Sequence, residues 1–556
     1  MDGFIDPDAA RSALMRRLFS VLGRSQLTTD PAKAVLDGIS TEQLGRSQHN
    51  ERLFRITSGF APPEPYFWIP DLDKSLPGNA AAIQALDATK KVNESQDGKS
   101  EELGTEQALA LLEAVAISLY APDLHPALRL NGEGVIGQGC AHLAQGERLV
   151  ATDHFDPADR FLALLHIAST SANPDVDDTT ERDYEQSQSW SGPAARIEAA
   201  TAALDVCLQR KDLYPRLATE IDRLLNDRHP ATRAQCIGHL VRIWNVDREG
   251  FWSRLKVGSR GETNLAVLKS VVGILHSVIH ADAECTEQLV YDLMARYLGT
   301  PQESDAENML ADLFAILHVT YDRAAADAKL TEWMDSPADH SSALGTILYR
   351  LREAVVLGLH ADQSEKDNVR RRSQALLHRI VVAADAQLAA ADFSPSMPDE
   401  EKARLRACAE LIDRAAMQLY FATGRASGGP GIDDAACAVF LNEVSPTLEL
   451  IARQPNPHTI YQLLQLIKVL APQDPIKAFD LTAHAIRTGG SKGGYQFEAL
   501  GAELMVRLIS SFLADNKEIF EDEARRQALV DCLEIFMEAG WSSARKLLYR
   551  LPELLQ

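Results

Sequence analysis

Along most of the chain, apolar residues recur every three or four positions. In SMPDEEKARLRACAELIDRAAMQLYF, Leu405, Cys408, Ile412, Ala415 and Leu419 fall on one helical face. Ile460, Leu463, Leu464, Ile467 and Leu470 repeat the pattern until Pro472 stops it. Leu529, Cys532, Leu533 and Phe536 repeat it again, ahead of Gly540 as a C-terminal cap. The breaks are helical punctuation too. Asp6-Pro7, Asp30-Pro31, Asp156-Pro157, Asn456-Pro457 and Asp474-Pro475 each place a capping side chain before a proline at the first helical position. Ser396, ahead of Pro398 and Asp399, is placed to cap in the same way. Period-two runs of β-branched residues are nearly absent, so the pattern predicts an all-α chain with helices over 105–120 and 157–169 among others.

A long succession of helices builds either bundles or a solenoid, and one segment points to the solenoid. NDRHPATRAQCIGHLVRIW carries Asp227, Pro230, Arg233, Cys236 and Leu240 at the spacing of a HEAT-type second helix, in which Asp and Arg brace neighbouring turns. No second copy matches it as well, so the repeat rests on rhythm. Residues 193–556 would hold about nine pairs at ~40 residues each. The expected fold is an α-solenoid of HEAT-like helix pairs with a less regular, mostly helical N-terminal part. Residues 1–170 form that part, 171–192 an acidic linker or exposed loop, and 193–556 the solenoid. Any strands belong to short hairpins around 54–70 and 128–152. The aromatic stretch Tyr66-Phe67-Trp68-Ile69-Pro70 is expected to cover the end of the stack.

Composition narrows the function. The chain has 556 residues and a net charge of −23, which opposes non-specific attraction to nucleic acid or an anionic membrane. Its seven cysteines form no C-x-x-C pair, which disfavours a disulfide framework or zinc knuckle and fits a reducing cytosol. No apolar run approaches the ~18 residues of a membrane span, and no signal-peptide core is seen at the N-terminus. The expected location is cytoplasmic.

Several motifs invite chemistry. Gly132, Gly134 and Gly137 spell G-x-G-x-x-G, but the segment before them is a poor buried strand and further glycines limit the helix after them. A hairpin turn at Asn131-Gly132 is the expected form, and no cofactor is assigned. A second glycine-rich loop, around Gly490, Ser491, Lys492 and Gly493, is a candidate anion-binding nest at a helix start. His276 and His280 share a helical face without a third ligand in step, so no metal is assigned. The acidic run at 174–183 lacks the glycine and the bidentate Glu of a calcium loop. Arg370, Arg371 and Arg372, with Arg379 two turns on, form the strongest basic cluster and are the candidate partner-binding residues.

Taken with the 227–240 segment, the tail GGYQFEALGAELMVRLISSFLADNKEIFEDEARRQALVDCLEIFMEAGWSSARKLLYRLPELL resembles the helical-repeat sensor regions of bacterial STAND-type signal-transduction ATPases, often tied to phage defence. The resemblance spans about 193–556. It implies a sensor or partner element, although the Walker A loop of those ATPases is missing and no catalytic residue carries over. The expected function is a non-catalytic helical-repeat protein that binds a protein or peptide partner, as a sensor or adaptor in bacterial defence signalling. The competing expectation is an enzyme with its site in residues 1–170 and the solenoid as a targeting arm.

Overall fold

The computed structural model describes residues 66, 68–93, 104–359, 364–392, 394, 396–425, 431–492 and 499–538. Among them are 21 α-helices and no strand. The chain divides into two compact units between Ile274 and Leu275. The first unit holds α1 (Pro77–Asn93), α2 (Thr105–Ser118), α3 (Pro126–Leu143), α4 (Ala158–Ser169), α5 (Thr180–Ser187), α6 (Ala195–Gln209), α7 (Tyr214–Leu225), α8 (Pro230–His239) and α9 (Arg248–Arg260). The division falls within α10 (Leu265–Val278). The second unit continues with α11 (Ala283–Tyr297), α12 (Glu303–Val319), α13 (Ala324–Asp335), α14 (Ser341–Ala354), α15 (Ser364–Ala390) and α16 (Asp399–Ala422). It ends with α17 (Asp434–Ala452), α18 (Pro457–Leu470), α19 (Pro475–Lys492), α20 (Ala499–Asp515) and α21 (Glu523–Glu538).

The second unit is an α-solenoid. Helices α12, α14, α16, α18 and α20 each pack on the next of their row, and α13, α15, α17, α19 and α21 do the same. Most consecutive helices also pack across the two rows, so each helix meets mainly its near neighbours in sequence. The apolar stripes read from the sequence are the buried faces: Leu405, Cys408, Ile412, Ala415 and Leu419 on α16, and Ile460, Leu463, Leu464, Ile467 and Leu470 on α18. Caps agree as well. Asn456 accepts from His458 N at 3.0 Å, Asp474 from Lys477 N at 3.0 Å, and Asp156 from Ala158 N at 3.0 Å. Ser396 departs from expectation: α16 starts at Asp399 after Pro398, without a side-chain cap.

Helix α17 corrects the expectation that no segment is apolar enough to span a bilayer. By length and composition it passes that test. Its apolar face is buried against α15, α18 and α19, and Pro446 lies inside it, which is how a core helix of a solenoid behaves.

The first unit is centred on α6, which is buried on every side, from Ala195 and Arg196 through Cys207. Helices α3, α4, α7 and α8 pack around it. The hairpin expected over 128–152 is overturned: Pro126–Leu143 is one continuous helix running through all four glycines. Each glycine in a helix interior costs about 1 kcal/mol relative to Ala. Here close packing offsets that cost. A Cβ on Gly137 would stand 2.8 Å from Ala195 O, and one on Gly134 would collide with Pro193 O, both at the entry to α6. On the other side, a Cβ on Gly132 would stand 2.6 Å from Leu119 and one on Gly139 2.5 Å from Leu112, both on or beside α2. The glycines let three helices approach closely. The hairpin expected around 54–70 falls mostly outside the described residues; Ile69 is buried and Trp68 is half exposed.

The stretch set apart as a linker, 171–192, is built into the first unit. Asn173 Nδ2 donates to Leu130 O and Pro193 O, and α5 packs on α8 with Tyr184 buried.

Candidate interaction surface

The predicted basic cluster lies on α15, and the structure turns most of it inward. Arg370 is buried. Its guanidinium forks onto the Glu443 carboxylate of α17 at 3.0 and 3.1 Å, and also donates to Asp367 and to Leu357 O. Burial opposes the charge, but the two carboxylates hold Arg370 above the ordinary arginine range. Gln374 completes the network, donating to the same Glu443 and to Val355 O. Arg372 donates to Val319 O at 2.8 Å and pairs with Asp322. Arg379 pairs with Asp327 at 2.5 Å and donates to Thr331. It borders a cavity of about 610 Å³ between α13 and α15, which is lined by Met334, Pro337, His378 and Val382. Of these four arginines, only Arg371 is exposed with no ion pair to a described residue. The four arginines therefore radiate to different helices and do not converge on one point.

The candidate anion loop has a different geometry from the one expected. Gly490, Ser491 and Lys492 continue α19 to its last turn, and Gly493 lies outside the described residues. A helix C-terminus carries the negative end of the macrodipole, which opposes an anion at that point. His276 faces Asp312 of α12 at 3.5 Å, with Arg350 on the same carboxylate at 3.2 Å. Burial, more than the neighbouring charges, lowers the affinity of His276 for a proton. Among the described residues, no group of three or more His, Cys, Asp or Glu is arranged to hold a metal ion.

The HEAT-like segment does brace neighbouring helices, through partners the sequence did not name. Asp227 takes Arg196 of α6 at 2.8 Å, while Arg233 takes Glu262 at 2.7 Å and Glu181 at 3.0 Å. The expectation of a single well-matched copy is corrected, because a second copy stands earlier in the chain. Asp123, His125, Pro126, Ala127 and Arg129 repeat the order and spacing of Asp227, His229, Pro230, Ala231 and Arg233. The structure shows the shared mechanism: His125 Nδ1 accepts from Ala127 N and His229 Nδ1 from Ala231 N, both at 3.2 Å, capping α3 and α8. Both copies read D-x-H-P-A-x-R in the sequence, but only the first is followed by closely spaced glycines, which imitate a turn.

A group the sequence did not single out lies where α14 and α16 pack side by side. Arg352 is held between the exposed rings of Tyr349 and Phe421, with its Cζ 4.7 and 5.0 Å from their centroids. Its Nε donates to Gln418 Oε1 at 2.6 Å. Two turns back along α14, Arg414 Nη1 of α16 lies in the space left open at Gly345. Among the described residues, no carboxylate pairs with Arg352, Arg406 or Arg414. No single stretch of sequence holds this cluster, because its members come from two helices about 70 residues apart.

No family model matches the chain, and no curated protein matches it. The chain is similar to the crystal structure of Kap121p at 12% identity, covering 99% of this chain and 67% of that one, with a TM-score of 0.23.

Proposed function

We propose that this chain is a helical-repeat scaffold that binds a protein partner along the exposed face of its second unit. The observation that carries the reading is the row α12, α14, α16, α18 and α20, stacked side by side with large side chains such as Tyr349 and Phe421 left in solvent. A solenoid buries its core between neighbouring helices and leaves such a row free as a continuous surface. Aromatic residues and arginine are the types that most often carry binding energy at interfaces. A sensor or adaptor role in bacterial defence is the finer form of this reading, supported by the sequence resemblance over 193–556.

The test is capture of partners from the native host by the full chain, followed by cross-link mapping. Cross-links concentrated on α12 to α20 support the reading. Failure to retain any protein, or cross-links only to the first unit, would reject it.

A further inference from the structure

We infer that the Tyr349–Arg352–Phe421 cluster, together with Arg414, is the docking point for an acidic segment of a partner protein. This rests on the proposed scaffold function and specifies the chemistry of its partner.

Three observations carry it. The first is preorganisation. Arg352 is fixed by two rings and by Gln418, so little side-chain freedom remains to be lost when a carboxylate arrives. Its Nε is engaged by Gln418, and no described group is bonded to the terminal Nη atoms that present a fork to a carboxylate. The second is charge. In a chain of net charge −23 most arginines of this unit already face carboxylates: Arg350 meets Asp312, Arg370 meets Glu443, Arg379 meets Asp327 and Arg404 meets Asp339. Arg352 and Arg414 do not, although Glu353 and Glu410 are exposed on the same two helices. Recognition therefore rests on two positioned guanidiniums and not on a broad positive field. The third is spacing. Gly345, over which Arg414 lies, and Arg352 are seven residues apart on α14, or about 10 Å along the helix axis. Tyr349 stands between them, with 65% of its surface exposed. An amphipathic helix with carboxylates two turns apart and an apolar residue between them matches that layout.

The probe is a fluorescein-labelled synthetic helical peptide with glutamates two turns apart around a central leucine and phenylalanine. A lysine-for-glutamate version and a single-stranded DNA oligonucleotide serve as comparisons. The full chain should bind the glutamate peptide saturably, more weakly as salt rises, and should ignore the lysine peptide. Arg352→Gln and Arg414→Gln should each weaken binding about tenfold, as expected for a lost charged hydrogen bond. Tyr349→Ala should weaken it as well, whereas Arg371→Gln, on the other row, should not change it. Arg352 is half-buried whereas Tyr349, Arg371 and Arg414 are exposed, so thermal melts run beside the binding assay check that each variant folds. Arg352→Lys, which keeps the charge and loses the fork, should also bind more weakly. Equal binding by the parent and the Arg352→Gln/Arg414→Gln double variant overturns the proposal. So does oligonucleotide binding that depends on Arg352, which makes nucleic acid the occupant. A partner cross-linked elsewhere on α12 to α20, and insensitive to the double variant, removes this docking point while leaving the scaffold function standing.

Discussion

Arg196 Nε donates to Asp227 Oδ2 at 2.8 Å, and neither side chain is more than one-tenth exposed. The two Nη atoms of Arg196 donate to Ser171 O and Pro174 O, each at 2.8 Å. One guanidinium thus joins α6, the start of α8 and the segment that runs between α4 and α5. Removing one partner of a buried ion pair leaves the other uncompensated and costs about 3–5 kcal/mol. Arg196→Met should therefore lower the stability of the first unit by that order in urea unfolding. Arg196→Met combined with Asp227→Leu should recover only part of the loss, because Ser171 O and Pro174 O still lack their donor. A single variant as stable as the parent would contradict this account.

The glycines of α3 lead to a second expectation. Gly134→Ala would set a methyl group against Pro193 O. Overpacking of this kind costs typically ~1–3 kcal/mol, and the better helix propensity of Ala returns about 1 kcal/mol. The net effect should be a loss of up to roughly 2 kcal/mol in chemical denaturation. Gly238→Ala, where a Cβ meets nothing within 4 Å, should be neutral or stabilising. If both changes had the same effect, close helix approach would not be the reason for the glycine at 134.

Stability should fall as the solution is acidified from neutral pH. Burial, named first among the causes, lowers the proton affinity of His229, His276, His318, His378 and His484. The unfolded chain, with histidines near pH 6.5, then binds protons that the folded chain refuses. Stability is therefore full above about pH 6.5 and is lost as the pH drops below it. His229 adds a specific reason, since its Nδ1 must stay unprotonated to accept from Ala231 N. His229→Asn keeps an N-cap acceptor without titrating, so it should flatten the pH dependence of the thermal midpoint. A midpoint that rises on acidification from pH 7.5 to 5.5 would reverse the sign and refute this reading (roughly one unit either side of the histidine range).

Charge reversal on α15 separates two roles for its arginines. Arg370→Glu places a carboxylate against Asp367 and Glu443 and should cost about 3–5 kcal/mol of stability in the second unit. Arg371→Glu, at an exposed position, should change stability by less than about 0.5 kcal/mol. Thermal melts of the two variants provide the check. If Arg371→Glu were the more damaging change, the burial assigned to Arg370 would be wrong.

Limited proteolysis tests where the chain divides. Two positions compete: the 171–192 segment, set apart by its acidic and turn-rich composition, and the Ile274/Leu275 division between compact units. The segment is held by Asn173, by Arg196 and by Tyr184 on α5. Cleavage there should be slow, and a fragment starting at 193 should lose the cover of α3 over α6 and melt at lower temperature. Rapid cutting near 184–190 with an intact, equally stable C-terminal fragment would restore the composition-based boundary.

The sequence by itself determined what depends on neighbours one to four residues away. Helical periodicity marked the buried faces of α16 and α18, and Asx-Pro pairs marked the starts of α18 and α19, because a cap and a helix stripe are local arrangements. Tertiary structure decided everything that depended on a distant partner. Gly132 to Gly139 read as a turn until α6 and α2 were brought against them, since a close approach is invisible without the approaching backbone. Arg370, Arg371 and Arg372 read as one basic surface, yet the carboxylate that neutralises Arg370 comes from Glu443, 73 residues away. The reverse holds for Arg352 and Arg414. Separate in the chain and unremarked in the sequence, they share a surface only because α14 and α16 are stacked in one row. Desolvation and pairing act through space, so the solenoid's stacking settles which charges are buried and which stay exposed.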